Sequence, residues 1–471
     1  GELDLYAEFA ADYIVRRDPN GRWCEWTGSE YVNSLTGING KVSDIKEAPN
    51  GDIYICGSFS NAGGIAGANK IARWSKANQS WEAVGNTSGL GTSNYILCMA
   101  FDANGDLYVG GKFTNIGGVT DANYFAKYTV TTGDWIAVGT GINNTVRSIA
   151  ISPEGTVFIG GVFDAAGGNT NCKHIAYFDK TANDWCPLST GLNDLVTSIK
   201  FTNDSRLIIS GNFTNANGVN GKYICWWDGS MFKSFTDLGA TELNSYVDAI
   251  AINPNGTIII GGFFNNAGGD PNADSIAAWR GNNWGSLMAG GVSNTDGVEV
   301  IHCVYNGDIY VSGYFTRAGN LEVDRVAKSV GGIWQRLDID LPSAGVPVIG
   351  LLEASDGYLY LGGEFETLSS GENAISAGAA DLNVSSGSAN TYPYIKIIGP
   401  GKLYSITNYT TGAQVAFNEL TLLEGEAISF NFDPLGLKFS SSWAGRGNLL
   451  RYINPGSDYG NFYLKPGVNS I

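Results

Sequence analysis

Ile53-Tyr-Ile-Cys-Gly-Ser-Phe59, Leu107-Tyr-Val-Gly-Gly-Lys-Phe113, Val157-Phe-Ile-Gly-Gly-Val-Phe163, Leu207-Ile-Ile-Ser-Gly-Asn-Phe213, Ile258-Ile-Ile-Gly-Gly-Phe-Phe264, Ile309-Tyr-Val-Ser-Gly-Tyr-Phe315 and Leu359-Tyr-Leu-Gly-Gly-Glu-Phe365 are one sentence written seven times. Each is an apolar run of strand length that ends in Gly-x-Phe. The phenylalanines stand 50 to 54 residues apart. A fixed period of that length is the mark of a propeller or solenoid, in which each unit buries its apolar face only against its neighbours.

Around each run the sequence supplies three more strand-sized pieces. The third unit shows them well: Val146-Arg-Ser-Ile-Ala-Ile151, a turn at Pro153-Glu-Gly155, the run itself, His174-Ile-Ala-Tyr-Phe178, and Trp185-Cys-Pro-Leu188. Asn50-Gly51, Asn104-Gly105, Asn255-Gly256, Asn306-Gly307 and Asp356-Gly357 provide tight hairpins between the first two strands. Four antiparallel strands per unit, seven times, predict a seven-bladed β-propeller. The Gly-Gly pair reads as relief from crowding near the axis. It is a poor phosphate cradle, since no helix follows it.

The seventh unit loses its Trp-bearing fourth strand, and the start of the chain offers a replacement. Trp26-Thr-Gly-Ser-Glu-Tyr31 lines up with Trp227-Asp-Gly-Ser-Met-Phe232, so Tyr31 to Leu35 is expected to complete blade seven. Arg22 to Trp26 and Ala374 to Gly378 compete for its third strand. This closure removes two sheet edges.

Composition agrees with an all-β chain. Of 471 residues, 65 are Gly, about 14% and twice the usual share. The 28 Lys and Arg against 45 Asp and Glu give a net charge of −17, which repels a phosphate backbone and argues against nucleic acid as a partner. No apolar run approaches the roughly 20 residues of a membrane span, so no membrane insertion is expected. Seven Cys without Cys-x-x-Cys spacing read as reduced core thiols.

After Leu382 the period stops. The expected organisation is an N-terminal segment at 1–12, a propeller at 13–382, a small-residue linker at 383–390 and a compact β-sandwich at 391–471. In the last part, Tyr392-Pro-Tyr-Ile-Lys-Ile-Ile-Gly-Pro-Gly401, Leu403-Tyr-Ser-Ile-Thr-Asn408, Leu422-Leu-Glu-Gly-Glu426, Arg446-Gly-Asn-Leu-Leu450, Pro455-Gly-Ser-Asp458 and Phe462-Tyr-Leu-Lys-Pro-Gly-Val-Asn-Ser-Ile471 occur in one order. That order resembles the C-terminal domain of distal tail proteins of long-tailed bacteriophages. The resemblance implies a galectin-like β-sandwich at a virion tail tip, associated with host carbohydrate or with other tail and baseplate proteins. The ring-forming domain that usually precedes it in that family has no counterpart here, so hub assembly does not carry over. The propeller repeats are similar to kelch-like bacterial and phage surface repeats, which implies fold more than function.

The search for chemistry gives little. The two histidines, His174 and His302, fall at or in strands with no nucleophile motif beside them, and read as structural. Cys172 next to His174 is half of a zinc motif without a second half. Asp164, Glu364 and Glu366, beside the second strands, are candidates for a paired-carboxylate glycosidase. Asn-Gly-Asp turns at 50–52, 104–106 and 306–308 lack the rest of a calcium loop. No catalytic residue, metal site or cofactor is therefore expected. Trp226 stands where other units have Arg73, Lys127, Tyr177, Ala278 and Lys328, a third-strand position that tolerates charge, which makes it a candidate sugar-stacking surface. Asp270 and Asp274, in the loop Gly268-Gly-Asp-Pro-Asn-Ala-Asp274, are candidate ligand contacts. The expected function is a tail-located, extracellular adhesion component that binds host-surface glycan or baseplate partners in several copies. The alternatives are a carbohydrate-active enzyme and a secreted bacterial surface-binding protein.

Overall fold

The computed structural model describes residues 8–10, 13–17, 23–25, 37–85, 94–287, 291–292, 297–304, 306–337, 348–364 and 367–369, together with strands between 381 and 470. Two compact units emerge: Ala10–Leu337 with Leu341–Thr367, and Leu368–Ile471 with Gly1–Phe9 and Asp338–Asp340.

The first unit holds seven antiparallel sheets of four strands. The innermost strands are Val42–Glu47, Tyr95–Phe101, Val146–Ile151, Val196–Phe201, Val247–Ile252, Val298–Cys303 and Val348–Glu353. Each packs on the next, and the seventh packs on the first, so the ring is closed. The chain is a seven-bladed β-propeller. The repeat phenylalanines 59, 113, 163, 213, 264 and 315 are wholly buried, each contributing roughly 1.5–3 kcal/mol by burial. Phe365 lies outside the described residues. Trp74 with Trp81, Phe178 with Trp185 and Trp279 with Trp284 meet edge to face across the third and fourth strands.

The two glycines of each run answer to different neighbours. A Cβ on Gly160 would come within 2.4 Å of Val196 Cγ1, and on Gly362 within 2.6 Å of Val42 Cγ1, in both cases in the next blade. A Cβ on Gly161 would lie 2.2 Å from the Thr145 carbonyl oxygen of its own blade. The crowding is thus against adjacent strands, not across the axis. Cys56, Ser210 and Ser312 take the first position in other blades, and Ser312 Oγ donates to the Val348 carbonyl at 2.8 Å.

Just before every third strand stands one residue in left-handed conformation: Tyr13, Lys70, Tyr124, His174, Tyr223, Ser275 and Arg325. Its carbonyl accepts from the second glycine, as in Gly57 N–H to Lys70 at 2.9 Å, and its N–H donates to the repeat phenylalanine, as in His174 to Phe163 at 2.8 Å. His174 fills a backbone position that five different residue types share over the seven blades.

Blade seven corrects the expected register. Ile14–Arg17 is its third strand, pairing Ile14 with Gly362, and Trp23–Glu25 is its fourth, pairing Trp23 with Arg17. Trp23–Glu25, from the segment expected in the third slot, is thus in the fourth; residues 31–35 and 374–378 lie outside the described residues. Tyr13 decides the matter, because its carbonyl accepts Gly363 N–H at 3.0 Å as Lys70 accepts Gly57 in blade one.

The hairpins also differ from a two-residue turn. Gly51 N–H donates to Ala48 O at 2.8 Å while Ala48 N–H donates to Asp52 O at 2.9 Å, and Gly51 alone has positive φ, at 86°. This is a four-residue turn whose last residue is the left-handed glycine. Asp52, Asp106 and Asp308 then reach the third strand: Asp52 and Asp106 accept the N–H of Lys76 and Val130, both at 3.0 Å, and Lys127 and Lys328 pair with Asp106 and Asp308 at 2.7 and 2.9 Å. The carboxylates of the Asn-Gly-Asp turns are spent on the blade.

In the second unit the strands are antiparallel: Tyr394–Ile398 with Ala427–Asn431 and Lys438–Ser441, Gly401–Asn408 with Ala413–Leu422, and Asp381–Val384 with Gly467–Ser470. Asn383 and Val384, expected to open a linker, are paired with Val468 and Gly467, because Asp-Leu-Asn-Val alternates as a strand. Phe430, Ile428, Val415 and Leu420 are buried there.

Candidate functional site

All seven innermost strands carry a β-bulge at the same place, where the pairing steps from Val42 to Asp44, Ile96 to Cys98, Val146 to Ser148, Val196 to Ser198, Val247 to Ala249, Val298 to Val300 and Val348 to Gly350. A bulge leaves one residue unpaired and re-aims its side chain. The extra residues are Ser43, Leu97, Arg147, Thr197, Asp248, Glu299 and Ile349. Hydrogen bonds between blades brace this zone: Thr197 Oγ1 donates to Val247 O at 2.6 Å, and Asp44 and Ser148 accept Met99 and Ile199 N–H at 2.9 and 3.1 Å.

Three of the bulge residues form an electrostatic cluster. Partial burial, followed by repulsion from Glu299, lifts the Asp248 carboxyl from its ordinary 3.8 to about 7, with Arg147 opposing the rise. Burial likewise raises Glu299, against Lys41 and Arg147. Arg147 belongs to blade three and Glu299 to blade six, so their interaction runs across the ring and puts these side chains on the axis. Lys41 pairs with Glu364 of blade seven at 3.6 Å on the same rim. Aromatic rings complete the mouth: Tyr246 lies against Phe263 with centroids 4.9 Å apart, and Tyr314 is raised in pKa by burial and then by Glu299, Glu364 and Asp248.

Further along the same strands, at the register partners of Tyr54, Ile208 and Tyr310, stand Lys46, Lys200 and His302. His302 is depressed to about 4, first by burial and then by Lys46, with Lys200 adding to it. It stands in an innermost strand, as its sequence position predicted. His174 Nδ1 lies 3.3 Å from Gly161 O, and Cys172 is buried.

Asp248 and His302 give opposite pH dependences. The folded chain holds a proton on Asp248 that the unfolded chain has released, so this group's contribution to stability falls as pH rises from about 4 to about 7. His302 is kept neutral by folding, and its contribution is lost as pH drops from 6.5 toward 4. Asp248→Asn is expected to match the wild type near pH 4 and to exceed it by on the order of 2 kcal/mol at pH 8, read as a urea midpoint at both pH values.

The sequence-derived candidates are placed differently. Trp226 is half-buried, and the Arg206 guanidinium sits 5.2 Å from its ring centre. Arg206 holds the place of Asp52, and Trp226 that of Arg73, so blade four replaces an acid–base pair by a cation–π pair. This stacking engages one face of the ring expected to take a sugar. Asp270 accepts Ser286 and Asn272 N–H at 2.8 and 2.9 Å, contacts that hold its carboxyl below the usual range, and Asp274 accepts Asn266 N–H at 2.8 Å. Both acids organise their own loop. Asp164 is exposed, its N–H donating to Asn143, and Glu366 lies outside the described residues. Among the described residues no group of three or more His, Cys, Asp and Glu is placed to hold a metal, and no helix is long and apolar enough to cross a membrane. Cys56, Cys98, Cys172, Cys186, Cys225 and Cys303 are free thiols.

Fold and site define a closed seven-bladed propeller whose channel mouth carries mixed charge beside aromatic rings. A family model described as the Rax2 C-terminal beta propeller domain matches residues 137–302, within the propeller. No curated protein sequence matches the chain. Among solved structures, the extracellular domain of BT4673 from B. thetaiotaomicron is similar at 13% identity and a TM-score of 0.46, over 88% of this chain and 48% of that one. The chain thus spans about half the length of that domain. Virginiamycin B lyase from Staphylococcus aureus is similar at 11% identity and a TM-score of 0.47, over 71% of this chain and 97% of that one.

Proposed function

We propose that the chain is a recognition module that holds a polyhydroxylated ligand, a surface glycan, at the bulge end of its channel. The observation that carries this reading is the convergence of Arg147, Asp248 and Glu299 beside Tyr246, Phe263 and Tyr314. Hydroxyl groups need donors and acceptors together, a sugar ring needs an apolar face, and this mouth offers both. The setting we propose is extracellular, at a virion tail, with the second unit as a galectin-like β-sandwich joined to other tail or baseplate proteins. The motif order from Tyr392 to Ile471 supports it. Several copies held together would raise weak single-site affinity by effective concentration. Applied to a glycan array as streptavidin-clustered chains, the protein is expected to mark a defined glycan class without releasing product. Uniform absence of signal from the clustered form would contradict the proposal.

A second reading has one observation in its favour. A carboxyl near pH 7 beside a second carboxyl is what a general acid in glycoside hydrolysis requires. Release of reducing sugar that disappears in Asp248→Asn would favour it.

A further inference from the structure

The channel has a second charged tier. Three residues beyond each bulge residue, about 10 Å along the strand, the seven innermost strands present Lys46, Ala100, Ala150, Lys200, Ala251, His302 and Leu352. All seven share one register, opposite Tyr54, Tyr108, Phe158, Ile208, Ile259, Tyr310 and Tyr360. Blades one, four and six are not adjacent, yet Lys46 acts on both Lys200 and His302. Only the axis brings these three side chains together. Ala100, Ala150 and Ala251 of blades two, three and five add no further charge to this register.

The charges in this tier do not balance. Asp44 pairs with Lys46 at 2.5 Å and spends its other oxygen on Met99 N–H. Among the described residues, no carboxylate lies within ion-pair distance of Lys200, an exposed side chain whose ammonium is disfavoured first by the surrounding protein and then by Lys46, with Asp44 opposing from farther off. Cys56 and Cys98 also face Lys46, and Glu353 meets His302 through its backbone. In a chain of net charge −17, this tier sets two lysines and a histidine against the single carboxylate of Asp44.

We propose that this tier is a binding site for a small tetrahedral oxyanion of the phosphate or sulfate class, held by Lys200, Lys46 and His302. Such an anion supplies the missing negative charge and accepts hydrogen bonds from three directions, as three donors around an axis require. Binding draws a proton onto His302, since the imidazolium donates where the neutral ring opposes the anion with a lone pair. The site is independent of the glycan reading of the mouth.

Isothermal titration calorimetry of the full chain with inorganic phosphate at pH 6 and constant ionic strength, with sulfate and acetate as further arms, tests this. Wild type is expected to bind phosphate and sulfate saturably at one site per chain, acetate more weakly, with heats that depend on the buffer because a proton is taken up. Lys200→Ala and His302→Leu copy residues found in this tier in other blades. Each should weaken phosphate binding by about tenfold or more, while Lys180→Ala, on an exposed turn, should leave it unchanged. Without phosphate, Lys200→Ala should melt above the wild type, because it removes an unneutralised charge; with saturating phosphate the order should reverse. Absence of saturable binding by wild type, or equal affinity in Lys200→Ala, overturns the proposal.

Discussion

Gly161→Ala should destabilise the propeller by roughly 3 kcal/mol or more, whereas Gly160→Ser should cost much less. The added Cβ at 161 would lie 2.2 Å from the Thr145 carbonyl oxygen and 3.0 Å from Val146 Cα, backbone atoms fixed by the bulge and by the ladder on either side. Nothing there can rotate away. At 160 the obstacle is a methyl of Val196, which belongs to the neighbouring blade. Blades four and six already place Ser210 and Ser312 at the equivalent point, buried and hydrogen-bonded. Urea unfolding of the two variants checks the contrast. Equal stability of both with the wild type would show that the second strand is not seated against the bulge.

Removing the N-terminal strands should have a still larger effect. Without Ile14–Arg17, the strand Leu359–Gly363 becomes an open sheet edge, and the buried Tyr360 and Leu361 lose their cover. Ile14 itself packs with Val42, Ile45 and Tyr360, so the seam between blades seven and one also loses its filler. A chain starting at residue 37 should lose most of its soluble monomer on size-exclusion chromatography and aggregate through the free edge. A peptide of residues 8–25 added during refolding should restore monomer, because the ring accepts those strands by ordinary pairing. A stable monomer that ignores the peptide would mean that closure is dispensable.

The blades were legible because their signals are local and repeated: an apolar run, two glycines, a buried phenylalanine. Closure was legible in kind but displaced in register. Trp26-Thr-Gly-Ser matches Trp227-Asp-Gly-Ser only through its turn, whereas Asp12-Tyr-Ile-Val15 parallels Lys222-Tyr-Ile-Cys225 and carries the left-handed residue before the third strand. Trp23 is then the fourth-strand tryptophan that the seventh unit had seemed to lack.

The site was not legible in the same way. Arg147, Asp248 and Glu299 occupy one variable place in a frame that reads Val-x-x-Ile in five of the blades, and an alternating strand would point that place away from the axis in the absence of the bulge. The charge changes along this column were the available signal. Lys46, Lys200 and His302 are scattered over 257 residues of chain and meet only because seven blades close into a ring. Trp226 is the converse case: its partner Arg206 lies 20 residues earlier, in a hairpin turn where a base stands in place of the acid of blade one.

The most direct test of recognition at the channel mouth is a glycan array probed in parallel with four clustered proteins: wild type, Arg147→Ala with Glu299→Gln, Trp226→Ala, and Asp270→Asn with Asp274→Asn. The structure-based account predicts that the wild-type signal survives in the Trp226 and loop variants and falls by about tenfold or more in the mouth variant, the loss of one or two charged hydrogen bonds. An undiminished signal from the mouth variant, together with its loss in Trp226→Ala, would contradict the account and move the binding site to the outer surface of blade four.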